Sequence, residues 1–487
     1  MTEPDDDTLA SSEVRHRAVR GGIALIGRGT ALRALGLLTN LVLARILVPQ
    51  EFGELAIVLT VVALASLFVT GGLGSALVRR STPPRRSELQ GVLAMQLMLG
   101  GLIALVTAAV ALPFGRTGVV TTIMTLALPV TSIRTPGVVL TERRLQYGPI
   151  VLSEVIETAV YAACAIGAAL AGFGVYGVAA AGLVRAFTGS IAMLIAVPEG
   201  RLWPRLHWAE VRPILGFGAT FQAASLIGVG RDQALNIGIA VAGSLSVLGL
   251  WGLALRLLQA PFLMFEALWR VSFPAVARML DAGDDVSEPL RRTAATLSVG
   301  VGIVLVALAG SSWDLVPFAF GQRWAPAASA VALSCVGLLL SGPVSVVSSG
   351  FLYGRGDAGA ALRATGFSSI VIVACSISLV AATGEVWGVG VGQLLGAVVE
   401  AVIFLRATKR HGLDGIATRA VVTTACGAIA AGAGWLACDS ISSHALGACV
   451  AIVLSVAVFG LTLSIVDFRA LRETARLGRR TLRSAAA

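Results

Sequence analysis

Eight basic side chains fall inside otherwise apolar stretches of this chain: Arg28, Arg33, Arg45, Arg134, Arg185, Arg231, Arg256 and Arg270. A charge at the middle of a membrane costs about 2.5–3.5 kcal/mol on insertion scales, so such residues face a wet cavity or a partner. A guanidinium stays charged and can hold the oxygens of a phosphate or carboxylate through two parallel hydrogen bonds. Together the eight imply a hydrated, positive interior. They are not equivalent. Arg45 and Arg270 lie near span ends, where a long side chain snorkels to the interface. Arg231 adjoins Asp232, which offers local pairing. Arg134 precedes Pro136 by two residues and reads equally well as lining or as structural. Arg28 and Arg33, five residues apart, sit about 140° apart on a helix and so do not share a face. Arg33, Arg185 and Arg256 are the deepest and the first candidates for an anion site, with Arg28 next.

The acids allow a second kind of chemistry. Glu154 and Glu157 are three residues apart, so on a helix they share a face, where two carboxylates repel until a proton or cation neutralises them. That pattern makes them candidates for coupling to a proton or sodium gradient. The alternative is structural: Glu154 is near the membrane edge and within reach of Arg143 or Arg144. Glu266 and Arg270, four apart, read as an ion pair, and Glu400 stands alone in its span. The four histidines lack a nucleophile or metal partner at useful spacing, and the six cysteines show no C-x-x-C or metal-type spacing. Cys438 and Cys449 have only a weak case for meeting across one hairpin. No catalytic residue, metal site or cofactor is expected.

The elements that must position these side chains follow from composition. The 487 residues are 56% hydrophobic and 13% charged, against about 45–50% and about 25% for soluble domains. Lipid is the matching solvent, and a run of about 20 apolar residues crosses it as a helix because backbone polar groups cannot go unpaired there. Charge and Gly/Pro breaks divide the chain into fourteen expected spans: 21–46, 53–78, 89–113, 118–140, 150–171, 176–197, 213–240, 249–273, 293–318, 327–353, 360–382, 387–405, 419–437 and 446–466. The acidic N-terminus shows no secretory signal pattern, so the first span is expected to be retained. With both termini cytoplasmic, twenty-seven basic residues fall in inner segments and two, Arg116 and Arg323, in outer loops, as the positive-inside rule requires. The Arg clusters lie between apolar helices rather than on a soluble basic face, which argues against nucleic acid. They suit topology setting, and RRSTPPRRSE and the C-terminal tail could also meet anionic lipid headgroups.

The longest inner connections divide the spans into six, six and two. PQEFGELAIVLTVVALASLF after the first span has a faint echo in SLSVLGLWGLALRLLQAPF after the seventh. Since six is even, a second copy would enter in the same orientation, a parallel repeat. The expected organisation is an N-terminal tail over 1–20, an N-lobe over 21–200, a C-lobe over 201–410, two further helices over 411–466 and a basic tail over 467–487. The fold class is thus an all-α polytopic membrane protein with two six-helix bundles and two C-terminal helices.

The turn LARILVPQEFGELAIV at 43–58 resembles the first hairpin of the polysaccharide (Wzx-type) flippases of the multidrug/oligosaccharidyl-lipid/polysaccharide (MOP) exporter superfamily, which carry a P-x-x-F/Y-G turn there. LTERRLQYG at 140–148, SFPAVARM at 272–279 and FGQRWAPAA at 320–328 agree in order. The resemblance implies two six-helix bundles around a central cavity, a place in the bacterial cytoplasmic membrane, and transport of an undecaprenyl-diphosphate-linked oligosaccharide to the outer leaflet by alternating access. Polysaccharide-assembly proteins would be its partners. Under that resemblance Arg33, Arg185, Arg256 and Arg28 become headgroup ligands, while the turn at Pro49–Glu54, with Pro49 ending one helix and Gly53 permitting re-entry, has no substrate role. A lipid II flippase and a cation-coupled multidrug exporter are the rivals within the superfamily, although an exporter of cations would be expected to present a more acidic or aromatic pocket. An integral-membrane glycan polymerase or ligase is the rival enzyme, and it would be expected to carry a large outer loop or a soluble catalytic domain. DAGDD at 281–285 is the one acidic cluster between spans.

Overall fold

A chain that leaves side chains such as Phe68, Leu105, Ile370 and Ile465 more than half exposed has placed its apolar surface outward, which suits lipid and not water. The computed structural model of the protein describes residues 32, 35–79, 82–282, 286–413 and 415–466; the side chains of 79, 214–228 and several positions in 271–281 are outside that description. The described residues are overwhelmingly helical and contain no strand, as expected where every backbone donor needs a partner within its own segment.

The chain divides into two compact units that meet in sequence at Gln233 and Ala234. The first holds α1 (Leu35–Ile46), α2 (Pro49–Thr70), α3 (Leu73–Arg79), α4 (Arg86–Ala111), α5 (Gly115–Thr125), α6 (Ala127–Ser132), α7 (Thr135–Arg143), α8 (Gly148–Leu170), α9 (Gly174–Ala196) and most of α10 (Trp208–Ala242). The second holds α11 (Leu245–Asp281), α12 (Ser287–Phe320), α13 (Ala327–Gly354), α14 (Ala358–Thr383), α15 (Trp387–Arg410), α16 (Ile416–Ser440) and α17 (His444–Val466). Eleven stretches among the described residues are long and apolar enough to cross a membrane. The all-α membrane fold therefore stands, whereas the count of fourteen is not established. Residues before 35, apart from 32, are outside the description, α10 is not among the eleven, and Arg86–Ser132 is one apolar stretch although a short turn at Leu112–Phe114 breaks it.

Three local departures have physical causes. The polar turn over Pro49–Glu54 is not a loop: Leu47 and Val48 make the connection, and Pro49 begins α2, where its missing N–H costs nothing. Gly53 is accordingly a buried residue within α2 and not the re-entry point. The backbone N–H of Val48 donates to Glu51 Oε2 at 3.1 Å, closing the first turn. The expected span at 118–140 is broken into α5, α6 and α7. Pro129 and Pro136 each remove an i to i−4 hydrogen bond, and α4 fits against the break because Gly100 has no side chain: a Cβ there would lie 3.0 Å from Pro129 N.

In the second unit α13 is the most enclosed of the apolar spans. Beside it α15 approaches α14 through Gly388, Gly392 and Gly396. A Cβ on Gly392 would overlap Ser376 Oγ, and one on Gly396 would overlap Ile372. Small residues four apart let two helix backbones close on each other where no hydrophobic effect drives association.

Candidate functional site

The first unit brings together side chains that are distant in sequence. α7, α8 and α9 carry Arg134, Glu157 and Arg185, with Arg134 at the N-cap of α7, just before the Pro136 break. Arg134 Nη1 donates to Glu157 Oε2 at 2.6 Å, and Arg185 donates to Glu157 Oε1 from Nη2 at 3.1 Å and from Nε at 3.3 Å. The Glu157 side chain is 5% exposed, while the arginine side chains are 28% and 45% exposed. One acid held by two bases leaves a formal charge of plus one. Arg185 also lies 5.7 Å from the centre of the Tyr161 ring, one turn beyond Glu157, a cation–π contact. Gly189, one turn beyond Arg185, makes the arrangement fit, since a Cβ there would overlap Glu157 Oε2 and stand 3.1 Å from Arg134 Nη1.

Arg134 belongs at the same time to the wall of a cavity of about 690 Å³ within this unit, together with Glu142, Glu154, Gln96, Ser153 and Thr131. Val62, Val69, Leu128, Val138, Val139 and Ile150 supply its apolar wall. Glu142 lies beyond the apolar stretch, and burial pushes its carboxyl above the ordinary range. Gln96, 2% exposed, donates from Nε2 to the Thr70 carbonyl at 3.4 Å, and its buried Oε1 has no hydrogen-bond partner among the described residues.

The residues singled out from sequence are thus distributed unevenly. Arg185 and Glu157 meet, and Arg134 joins them. Glu154 lines the cavity one turn from Glu157. Arg256 lies half-buried on α11 in the second unit. Arg28 and Arg33 are outside the described residues. The local pairs are in place: Arg231 with Asp232 at 2.9 Å and Arg270 with Glu266 at 2.6 Å. All six cysteines are free, Cys438 and Cys449 included. Arg116, counted as an outer-loop residue, lies at the start of α5 and clamps the start of α2, with Nε donating to Glu54 Oε2 at 2.9 Å and Nη1 standing 3.6 Å from Glu51.

Two polar residues escaped the sequence reading. Gln96 is a single amide in the apolar α4 and has no spacing signal. Asp314 is 4% exposed in α12 and meets His444 Nδ1 at 2.6 Å, against Gly447, where a Cβ would overlap its second oxygen. A lone Asp eight residues before Gln322 was legible as a buried acid, but its partner lies 130 residues away.

With this geometry in place, comparisons with known proteins agree in direction. A family model described as "Polysaccharide biosynthesis protein" matches residues 42–329. The succinoglycan biosynthesis transport protein ExoT of Rhizobium meliloti is 26% identical over 388 residues, 77% of this chain and 74% of that protein. The lipopolysaccharide biosynthesis protein WzxC of Escherichia coli is 29% identical over 334 residues, 63% of this chain and 64% of that protein. Among solved structures, the lipid II flippase MurJ in an inward closed conformation superposes with a TM-score of 0.68 at 11% identity, covering 92% of this chain and 98% of that one. A multidrug resistance MATE family transporter of the MOP superfamily, inward-facing, gives 0.59 at 15% identity over 79% and 96%. At these identities the structural likenesses establish the fold.

Proposed function

Because the chain belongs to the polysaccharide biosynthesis protein family, we propose that it is a flippase of the MOP superfamily that moves a lipid-linked oligosaccharide precursor across the cytoplasmic membrane. Its substrate on this reading is an undecaprenyl-diphosphate-linked oligosaccharide, carried from the inner to the outer leaflet by alternating access through a hydrated, arginine-lined interior. The lipid tail remains in the bilayer while the diphosphate and sugars cross. Two curated relatives named for polysaccharide transport and biosynthesis support the substrate class.

The observation that carries the reading is the Arg134–Glu157–Arg185 cluster. Two arginines, at the N-cap of α7 and within α9, are paired by one buried acid on α8 and still leave one positive charge in excess. Such residues mark substrate and ion pathways in membrane proteins. Arg185 and Arg256, with Arg28 and Arg33 from the first segment, are the proposed diphosphate ligands. Glu154 and Glu157, which both qualify by spacing, are the proposed ion-coupling carboxylates, and Glu157 is held by two guanidinium groups.

The test is the leaflet distribution of undecaprenyl-diphosphate oligosaccharide in a host lacking its own polysaccharide flippase, with and without this protein. Outward movement that is lost with Arg185→Ala at equal membrane abundance is expected. Retention inside for every glycan tried, with expulsion of a small cationic drug instead, would overturn the substrate class and leave the fold standing.

A further inference from the structure

The cavity of the first unit has a wall chemistry distinct from that of a phosphate site. Several of its hydroxyls already donate within their own helices: Ser66 to the Ala63 carbonyl at 2.8 Å, Thr131 to Leu128 at 2.8 Å and Ser153 to Ile150 at 2.9 Å. Towards the cavity these oxygens can only accept. Gln96 adds a buried amide oxygen without a partner among the described residues, and Glu142 and Glu154 add two carboxyl groups. Among the described residues, the cationic member of the wall is Arg134, whose charge is met by Glu157 at 2.6 Å, yet this contact leaves most of its five N–H donors uncommitted to that acid. Among the described residues of the wall two carboxyl groups stand beside one guanidinium, and the rest is shared between Ser, Thr and Gln side chains and aliphatic ones.

We propose that this cavity binds a sugar of the transported glycan, a neutral polyol and not its diphosphate. A sugar brings hydroxyl hydrogens for Gln96 Oε1, the carboxyl groups and the Ser and Thr oxygens, ring and hydroxyl oxygens for Arg134, and C–H faces for Val138, Val139 and Leu128. A diphosphate brings only acceptors and negative charge, and would meet two acids. A bare cation would leave most of a 690 Å³ cavity unfilled, whereas small-molecule pockets run from about 300 to 1,000 Å³. Buried polar atoms left unmet are costly, so a ligand that supplies the missing hydrogen to Gln96 gains affinity that an analogue without it cannot. That the sugar is part of a lipid-linked substrate rests on the flippase reading; the binding itself does not.

The experiment is saturation-transfer difference NMR on the full chain in lipid nanodiscs, with glucose, galactose, N-acetylglucosamine and lactose as probes and with pyrophosphate and sodium as competitors. At least one sugar is expected to bind, insensitive to pyrophosphate, and to weaken about fivefold or more in Gln96→Leu and in Glu154→Gln, the loss of about one hydrogen bond each. Thermal melts identify a variant that has lost its fold, and the near-isosteric Glu154→Gln guards against disruption by Gln96→Leu. Absence of binding by all four sugars, equal binding in folded variants, or displacement by pyrophosphate overturns the proposal. Sodium binding lost in Glu154→Gln, with no sugar bound, overturns it in favour of ion coupling. Flipping by a protein that binds no sugar would refute this inference alone, and sugar binding with no lipid movement would refute the flippase reading alone.

Discussion

Glu157 accepts N–H groups from two arginines on two neighbouring helices, so its removal leaves two charges facing each other without a counter-ion. Breaking a buried pair by deleting one partner costs about 3–5 kcal/mol, and the partial exposure of both arginines reduces this to about 1–3 kcal/mol. Glu157→Ala should therefore lower the thermal midpoint in detergent by more than Arg185→Ala does, because Arg185→Ala still leaves the acid bonded to Arg134. Equal melting of the two variants would show that Glu157 is not the hub. Gly189→Ala tests the same cluster without altering a charge. The added methyl overlaps Glu157 Oε2, and either the carboxylate or α9 must shift, at about 1–3 kcal/mol for an overpacked site. Combined with Glu157→Ala, which frees that space, Gly189→Ala should cost much less, a coupling that a double-mutant cycle reads directly.

At the scale of elements, the legible and illegible parts of the sequence separate by the range of the interaction that decides them. Hydropathy identifies apolar runs, and it marked the region 118–140 as apolar; it does not weigh what Pro129 and Pro136 do to a helix that must also pack on α4. Glu157 and Arg185 were each visible as buried charges, yet their pairing depends on the register of the α8–α9 hairpin across 28 residues, which no local pattern encodes. Gln96 gave no pattern at all, being one polar side chain in an apolar helix. Local caps are the opposite case. Asp357 accepts from the backbone N–H of Ala360 at 3.0 Å, an N-cap for α14. The hydrogen bond from His411, followed by that of Ala360, holds its carboxyl below the ordinary range. A carboxyl lowered in the folded state stabilises above its unfolded value of about 3.9, and this contribution is lost as pH falls through the lowered value. Amide exchange at the start of α14 should thus accelerate on acidification below about pH 4. In Asp357→Asn that acid limb should be absent; an unchanged limb would assign it to another group.

For the whole molecule, the two units each bury their own polar contacts while leaving apolar side chains outward, and the remaining choice is which end of each helix faces the cytoplasm. Basic residues in short connections resist translocation, so twenty-seven on one set of connections against two on the other fixes the expected orientation. Arg116, one of the two exceptions, is paired with buried Glu54. In a background with all six cysteines replaced, single cysteines at exposed Thr82 and Arg410 should be protected from a membrane-impermeant maleimide in intact spheroplasts and react after lysis. Those at exposed Gln50, Gln322 and Ser442 should react in both. The reverse pattern at all five sites would invert the molecule and, with it, the direction of transport proposed here. A mixed pattern would mean that the number of spans between those sites differs from the fourteen-span scheme, since each odd change in span count moves every later connection to the opposite side.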